Sequence, residues 1–164
     1  MAVAPVPSKP RRFALIPAAG ASARFGGPEQ KQYVLLAGKP LLARTIAALS
    51  GSVVLETVFV VLADDDTLYD ERVGEIAGVV PLRCGGRTRA ESVRNGLAAM
   101  GDRATAEDWV LVHDAARPCI DVATLNRLLH ELEDEPIGGL LAIPLADTLK
   151  RSEMADSESP WRTV

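Results

Sequence analysis

Two basic side chains follow a loop of small residues near the start of the chain. Residues 18–23 are alanine, glycine and serine only, and Arg24 and Lys31 come next, seven positions apart. Because small side chains leave successive backbone N–H groups exposed, such a loop can cradle phosphate oxygens. Arginine offers a planar fork and lysine a compact charge, so the pair could hold different oxygens of one polyphosphate. Two fixed cations suit a triphosphate that is being cut, and the stretch therefore predicts a nucleotide site.

The same loop departs from the two standard phosphate-binding patterns. Ser22 stands where the pattern G-x-G-x-x-G would have its second glycine, and the loop also lacks G-x-x-x-x-G-K-[ST]. A nicotinamide oxidoreductase is therefore disfavoured. The plain alternative is a strand-to-helix turn with a surface arginine, and Lys31 taken alone is most often a solvated lysine. The functional interpretation depends on the spacing of the two cations and on the position of the loop after a first strand.

A second glycine-containing segment follows a predicted strand and precedes a predicted helix. Gly85 and Gly86 permit a close approach of the backbone to a ligand, and Ser92 could offer its hydroxyl to the edge of a base. The alternative is a tight turn in which Thr88 caps the helix and Glu91 completes a capping box. Both interpretations can hold together.

A carboxylate follows another predicted strand, in the segment from His113 to Pro118. Asp114 is suited to contact Mg²⁺, because this ion takes one or two carboxylates together with phosphate oxygens. The alternatives are a structural ion pair between Asp114 and Arg117, or a capped turn. We expect His113 to be buried and hydrogen-bonded and not catalytic.

The elements that must position these segments alternate between strand and helix. Apolar runs predict strands at 13–16, 57–63, 79–83, 109–113 and 139–144, and helical periodicity predicts helices at 40–50, 88–100 and 121–134. Pro40 suits a first helical turn, and Asp121 suits an N-cap. Such alternation, with nearly continuous apolar strands, is typical of a parallel sheet covered on both faces. Segments 18–32, 84–92 and 114–118 all follow strands, so we expect them at one rim of the sheet, where ligands bind.

The bulk composition excludes several classes of partner. The chain has 164 residues, with 48% hydrophobic and 24% charged side chains, which suits one globular domain. Aromatic residues make up 4% and the net charge is −4, which argues against nucleic acid polymers and anionic membranes. No apolar run is long enough to span a bilayer. Two unpatterned cysteines predict free thiols in a reducing cytoplasm.

The two ends differ from the middle of the chain. Residues 1–11 are rich in proline and predict a flexible lead, and residues 12–144 predict the nucleotide-binding α/β domain. After Pro144 the chain becomes polar, and Thr163 with Val164 is typical of a strand cut short. We therefore expect residues 145–164 to be a separate, incomplete segment of a longer protein.

Taken together, the segments closely resemble 2-C-methyl-D-erythritol 4-phosphate cytidylyltransferase. The resemblance covers residues 12–164 and rests on five ordered motifs: PAAG…AR at 17–24, KQY at 31–33, GG..R..S at 85–92, HDAARP at 113–118 and DTLK at 147–150. It implies a Rossmann-like, three-layer α/β/α nucleotidyltransferase with a mainly parallel sheet, and a β-arm, here incomplete, through which two subunits form a homodimer. It also implies transfer of CMP from CTP to 2-C-methyl-D-erythritol 4-phosphate, with Mg²⁺ and release of pyrophosphate.

The resemblance also assigns roles to individual residues. It implies transition-state cations at Arg24 and Lys31, a metal contact at Asp114, and substrate contacts at Arg117 and Thr148, the last reaching into the neighbouring subunit. The positions it implies for nucleotide binding are Pro17, Ala18, Ala19, Gly20, Ala21, Ser22, Gly86, Arg89, Ser92 and Ala115.

The sequence departs from the family pattern at three places. Ser22 replaces a frequent glycine, Gln30 replaces the proline usual before the lysine, and family members continue beyond residue 164 with further substrate-binding residues. We therefore expect a CTP site with impaired binding of methylerythritol phosphate. The alternatives are a ribitol-5-phosphate or other sugar-phosphate nucleotidyltransferase, and an inactive CTP-binding fragment.

Overall fold

The computed structural model describes residues 9–20, 30–52, 54–151 and 162–163. In chain order its elements are β1 (Arg12–Pro17), β2 (Leu35–Leu36), β3 (Lys39–Pro40), α1 (Leu41–Ser50), β4 (Thr57–Leu62), α2 (Leu68–Arg72), β5 (Val79–Arg83), α3 (Arg89–Met100), β6 (Trp109–Val112), α4 (Val122–Glu131), β7 (Lys150–Arg151) and β8 (Arg162–Thr163), with short 3-10 helices at Lys31–Tyr33 and Gly101–Arg103.

Four parallel strands form the central sheet, in the order β5-β4-β1-β6. Strand β1 lies between β4 and β6, so that Leu15 is opposite Phe59 on one side and Val112 on the other. The four strands confirm the predictions at 13–16, 57–63, 79–83 and 109–113, to within a residue at each end. Because the strands are parallel, the segments that follow them leave from one edge of the sheet.

Both faces of the sheet are covered. Successive residues of a strand point to opposite faces, so the same strands contribute side chains to two separate core clusters. One core cluster joins β1 and β4 to α1 and α4: Ala14, Ile16, Leu42, Ile46, Val60 and Leu125. The other cluster joins the opposite faces of the same strands to the end of α3: Phe13, Leu15, Phe59, Val61 and Met100. Helices on both faces give the three-layer α/β/α arrangement that the sequence predicts.

The predicted helices are present, and their capping residues explain where they begin. The Asp121 carboxylate accepts the Thr124 N–H at 2.7 Å at the start of α4, as predicted. The Thr88 hydroxyl accepts the Glu91 N–H at 3.1 Å at the start of α3. Pro40 was expected in the first turn of α1. It instead precedes that helix as its N-cap and pairs with Leu35 in the hairpin of β2 and β3.

The predicted strand at 139–144 is wrong. No strand is assigned there, and Leu140 and Ile143 are 79% and 91% exposed. An extended apolar run becomes a strand when its backbone pairs with a neighbour, and β6 is the last strand of the described sheet on this side. The apolar pattern of the sequence predicts burial of the run but carries no information about the partner strand.

Beyond this run, β7 and β8 pair antiparallel with each other. Their pairing fits the arm segment predicted at 145–164, although the domain boundaries themselves stay predictions. The predicted lead lies outside the described residues except at 9–11. Cys84 and Cys119 are free thiols, as expected. Within the described part of the chain, no helix is both long enough and apolar enough to cross a membrane.

A buried carboxylate ties the first strand to the segment before β6. Asp108, whose side chain is 5% exposed, accepts hydrogen bonds from the backbone and the guanidinium of Arg11, both at 2.8 Å. It also accepts the Thr105 N–H at 2.8 Å. The hydrogen bonds from Thr105 and Arg11 hold the pKa of Asp108 well below its usual value. The ionised carboxylate therefore stabilises the register of β1 against β6.

Asp108→Asn should reduce the dependence of stability on acid pH. A lowered pKa in the folded chain means that Asp108 contributes its full stabilisation above about pH 4 and loses it as the pH falls below that value. The variant should be less stable at neutral pH, and its free energy of unfolding should fall less steeply below about pH 4. Urea unfolding across that range measures both effects, with Asp102→Asn as control, since Asp102 is exposed and pairs with no described residue. An unchanged slope in Asp108→Asn would contradict this account.

Candidate functional site

The loops after β1, β4 and β5 meet at one edge of the sheet. Backbone hydrogen bonds of 2.8 Å join Ala18 N–H to the Val61 carbonyl and Gly85 N–H to the Leu62 carbonyl. The contact is so close that a Cβ on Gly85 would lie 2.3 Å from the Ala19 Cβ and 2.9 Å from the Leu62 oxygen. Gly85 is therefore required for this approach, and the structure brings the first two predicted segments together.

The first loop begins in a fixed position. Pro17 ends β1, and Ala18 is 3% exposed. Gly20, the last described residue before position 30, is exposed, and a Cβ added to it would meet no described atom within 4 Å. Ala21, Ser22 and Arg24 lie outside the described residues.

Lys31 lies beside this loop on a short 3-10 helix. The lysine is exposed, whereas the two residues that follow it are buried. The Gln32 amide donates to the Ala18 carbonyl at 2.8 Å, which joins the lysine segment directly to the end of β1. This connection places one predicted cation next to the predicted phosphate loop.

The second loop is closed by its own side chains. Ser92 is 3% exposed, and its hydroxyl accepts the Gly86 N–H at 3.0 Å and lies 3.0 Å from the Thr88 carbonyl, to which it donates. The Glu91 carboxylate accepts the Arg87 N–H at 2.9 Å. The expected contact of Ser92 with a base stays a prediction, and in this structure the hydroxyl holds the loop in shape.

The third segment places a carboxylate between two guanidinium groups. Asp114 Oδ1 accepts a hydrogen bond from Arg89 Nε at 2.9 Å, and Asp114 Oδ2 forms an ion pair with Arg117, 2.9 Å from its Nε. The pair with Arg117 is the structural alternative that the sequence suggested, and the pair with Arg89 was not foreseen. All three side chains are at least one-third exposed, so the pairs contribute little to stability, typically below about 1 kcal/mol each. The trio carries a net positive charge at the rim.

A cavity of about 660 Å³ opens beside this trio. It is lined by Arg89, Asp114 and Arg117 together with residues at the start of α4. His113 is half-buried, and its Nε2 lies 2.8 Å from the Arg117 carbonyl, which supports the expected structural role. Ala115 is buried and accepts the Thr45 hydroxyl at 2.9 Å. Thr148 lies elsewhere, in the exposed segment before β7, and does not line this cavity.

The described residues contain no metal site built from protein side chains alone. No group of three or more His, Cys, Asp and Glu side chains among them is arranged to hold an ion. Asp114 Oδ1 accepts a hydrogen bond from Arg89, and the carboxylate forms ion pairs with both Arg89 and Arg117. Because a carboxylate oxygen has two lone pairs, Oδ2 could still contact an ion that is bound mainly by other oxygens.

A Rossmann-like α/β architecture is thus defined, with its candidate site at the carboxyl ends of the strands. Residues 13–159 match the family model described as IspD, 2-C-methyl-D-erythritol 4-phosphate cytidylyltransferase. The chain belongs to this family. Among relatives of that name, the protein of Dechloromonas aromatica is 51% identical over 88% of this chain and 64% of its own length. The Azoarcus relative is 47% identical over 88% and 62%.

Solved structures agree with this assignment. A crystal structure of 4-diphosphocytidyl-2C-methyl-D-erythritol synthase is 35% identical, with a TM-score of 0.79 over 96% of this chain and 73% of that one. The cytidylyltransferase of Francisella tularensis is 28% identical, with a TM-score of 0.69 over 93% and 69%. The chain spans slightly less than two thirds of the length of the curated relatives it matches.

The long-range ion pair between Arg89 and Asp114 is the functional feature that sequence reasoning missed. The two residues are 25 positions apart: Arg89 begins α3, and Asp114 follows β6. No local pattern signals such a pair, and the strand order alone would not predict it, because β5 and β6 are the two outer strands of the described sheet. The pair forms because α3 packs across β1 and β4, where Gly96 lies against Leu15 and Val61, so that its first residue reaches the segment after β6.

Gly85→Ala should destabilise the fold, and Gly20→Ala should not. The added methyl group at position 85 overlaps the Ala19 side chain and the Leu62 carbonyl oxygen, an overpacking that typically costs about 1–3 kcal/mol. At position 20 the same group meets no described atom, so a change within about 0.5 kcal/mol is expected. Thermal and urea unfolding of the two variants measures the difference. Equal stability of both variants would show that the loops do not touch as described.

Proposed function

We propose that the protein transfers CMP from CTP to 2-C-methyl-D-erythritol 4-phosphate, giving 4-diphosphocytidyl-2-C-methyl-D-erythritol and pyrophosphate. Its membership of the family supports this reaction. The observation on which the proposal chiefly depends is the contact between the loops at Ala19 and Gly85, beside the exposed Lys31. Gly20, the residue after Ala19, is exposed, and an exposed backbone N–H near a lysine suits a phosphate of a nucleoside triphosphate.

The reaction needs no protein base. The phosphate of methylerythritol phosphate is largely dianionic at neutral pH, since its second pKa is about 6. One of its oxygens attacks the α-phosphorus of CTP, the bond from that phosphorus to the bridging oxygen breaks, and pyrophosphate leaves with the electron pair. The protein has to align the two phosphates and to neutralise their crowded charge.

The proposed roles follow the positions on the rim. Lys31 and Arg24 stabilise the charge that develops on the triphosphate, and the backbone of residues 20–22 cradles its oxygens. The cytosine and ribose are contacted by Pro17, Ala18, Ala19, Gly86 and Ser92, and Ala115 belongs to the same nucleotide site. Arg89 binds the nucleotide, and Arg117 binds the substrate phosphate. Both side chains line the cavity beside Asp114.

Mg²⁺ is the proposed cofactor, and Asp114 is the residue that would contact it. Its carboxylate would supply one contact, which fits an ion that is bound in proteins by one or two carboxylates together with phosphate oxygens and water. When bound, the ion supplies positive charge to the phosphates. The carboxylate meanwhile forms ion pairs with both Arg89 and Arg117 and so holds the two guanidinium groups at one place on the rim.

The last described segment of the chain contains the hairpin of β7 and β8. We infer that the segment containing β7 and β8 belongs to an arm through which two subunits form a homodimer, with Thr148 reaching the substrate of its neighbour. The antiparallel pairing of β7 with β8 supports an arm of this kind. A cytoplasmic location is consistent with the free thiols.

Substrate choice is tested by measuring pyrophosphate release from CTP with two acceptors. Release with methylerythritol phosphate above that with ribitol 5-phosphate, and a product of the mass of the cytidine diphosphate adduct, would support the proposal. Faster reaction with ribitol 5-phosphate would assign a different sugar-phosphate cytidylyltransferase. Binding of CTP·Mg²⁺ without pyrophosphate release would identify a nucleotide-binding chain without transferase activity.

Lys31→Ala and Arg24→Ala should each lower kcat far more than they weaken CTP binding. Groups that stabilise charge in the transition state typically contribute about 10²-fold or more to kcat. Steady-state pyrophosphate release gives kcat, and calorimetric titration with CTP gives the affinity. Lys39→Ala is the matched control, because Lys39 is an exposed lysine on the nearby hairpin of β2 and β3. Unchanged turnover in either variant would refute the assigned roles.

Asp114→Asn should raise the Mg²⁺ concentration needed for half-maximal CTP binding by about tenfold, since loss of a metal-contacting group weakens metal affinity by 10–100-fold. Arg117→Gln leaves the carboxylate in place and should not change the Mg²⁺ requirement. Titration with Mg²⁺ at fixed CTP compares the two variants. Equal Mg²⁺ requirements in both would mean that Asp114 serves the arginines and not the ion.

A further inference from the structure

The backbone on either side of Lys31 is held by side chains that the proposed reaction does not use. Lys31 is exposed, but Gln32 and Tyr33 are 4% and 0% exposed. They share a single turn of 3-10 helix, which has poorer hydrogen-bond geometry than an α-helix and is used only in short pieces. The position of this turn must therefore come from its contacts with the rest of the fold.

Gln32 fixes the turn to the end of β1. Its side-chain amide donates to the Ala18 carbonyl at 2.8 Å and to the Gln30 side-chain oxygen at 2.7 Å. Ala18 is in turn held by its own N–H, which donates to the Val61 carbonyl at 2.8 Å. The lysine segment and the first residue of the candidate phosphate loop are thus fixed to each other and to β4.

Tyr33 fixes the same turn to the start of α2. Its hydroxyl donates to Asp66 Oδ2 at 2.7 Å, and Asp66 is 6% exposed. The other carboxylate oxygen accepts the Tyr69 N–H at 3.0 Å. The Asp66 carbonyl accepts from Arg83, the last residue of β5. This network joins the lysine segment to the ends of two strands.

The phenol keeps its proton under all ordinary conditions. Burial, together with the hydrogen bond to Asp66, raises the pKa of Tyr33 above its usual range. The Tyr33 hydroxyl therefore remains a hydrogen-bond donor at neutral pH. Each oxygen of the Asp66 carboxylate accepts one hydrogen bond, one from the Tyr33 hydroxyl and the other from the Tyr69 N–H. Loss of the hydroxyl would leave a buried carboxylate oxygen without its partner, which favours rearrangement of the turn.

We propose that Gln32, Tyr33 and Asp66 are positioning residues that fix the backbone of Lys31 beside residues 18–20, a proposal that rests on the proposed function. A lysine side chain is long and flexible, so the distance of its ammonium group from a triphosphate depends on where its backbone is held. Displacements of about 1 Å at a catalytic group can lower a rate by as much as 10²-fold. None of the three residues needs to touch the substrate.

The kinetic test compares Tyr33→Phe in two backgrounds. In the unaltered chain this change should lower kcat for pyrophosphate release by about tenfold or more and change KM for CTP by less than about threefold. In the Lys31→Ala background the same change should lower kcat by less than about twofold, because the group being positioned is gone. An equal loss in both backgrounds would overturn the proposal, since it would indicate a general effect on the fold.

Two further variants separate positioning from packing. Asp66→Asn keeps an oxygen and a polar hydrogen at the site and should retain more of kcat than Asp66→Ala. Tyr69→Phe is the matched control, because Tyr69 is a buried tyrosine of the same core cluster that lies on α2 and not on the lysine turn. Its kcat should equal that of the unaltered chain. All rates are measured well below the unfolding temperature of each variant.

Amide hydrogen exchange tests the anchoring independently of turnover. The Tyr33 N–H donates to the Gln30 carbonyl at 2.9 Å, and the Val34 N–H lies 3.3 Å from the Lys31 carbonyl. Both amides should exchange about tenfold or more faster in Tyr33→Phe and at the unaltered rate in Tyr69→Phe. Unchanged exchange in Tyr33→Phe would overturn the proposal. Absence of pyrophosphate release by the unaltered chain would refute the proposed function instead, and the exchange rates would then decide the anchoring alone.

Discussion

The parallel pairing of β1 with a strand on each side is the constraint on which the candidate site depends. Because β4, β5 and β6 all run in the same direction as β1, their last residues and those of β1 reach one edge of the sheet together. The segments after β1, β5 and β6, which are far apart in sequence, therefore all start at this edge. The contact between Gly85 and Ala19 shows how closely two of them approach, and it leaves no room for a side chain. Burial of both faces of β1 gives the loops a rigid base.

Local charge at this edge opposes the charge of the whole chain. The protein carries a net charge of −4, yet Arg89, Arg117 and Lys31 all lie on the rim that faces the proposed ligand. Asp114 is the carboxylate between the two arginines, and it holds both guanidinium groups without cancelling their combined charge. An acidic protein can in this way bind a small polyanion at one place and still lack the broad positive surface that a nucleic acid would require.

Much of the fold could be predicted from the sequence, because hydrophobic periodicity and capping residues act locally. The four strands, the helices α1, α3 and α4, and the caps Thr88 and Asp121 all follow from such signals.

The strand predicted at 139–144 is not formed, because pairing depends on a neighbouring strand and not on the apolar run itself. The pairs Arg89–Asp114 and Tyr33–Asp66 could not be foreseen, since each joins segments that are distant in sequence and meet only in the tertiary fold. The small residues, Lys31 and Asp114 were identified by type and spacing. Their roles as ligands remain proposals, and Arg24 lies outside the described residues.

The central claim is that CTP binds at the carboxyl ends of β1, β5 and β6. The most direct test is a titration of the ¹⁵N-labelled chain with CTP in the presence of Mg²⁺, followed by the amide chemical shifts. The account predicts saturable changes at Ala19, Gly20 and Gly86 and around Asp114, with smaller changes for CMP because it lacks the β- and γ-phosphates. Shifts confined to the apolar groove between β6 and α4, lined by Trp109 and Leu129 among others, or no saturable shifts at all, would contradict it.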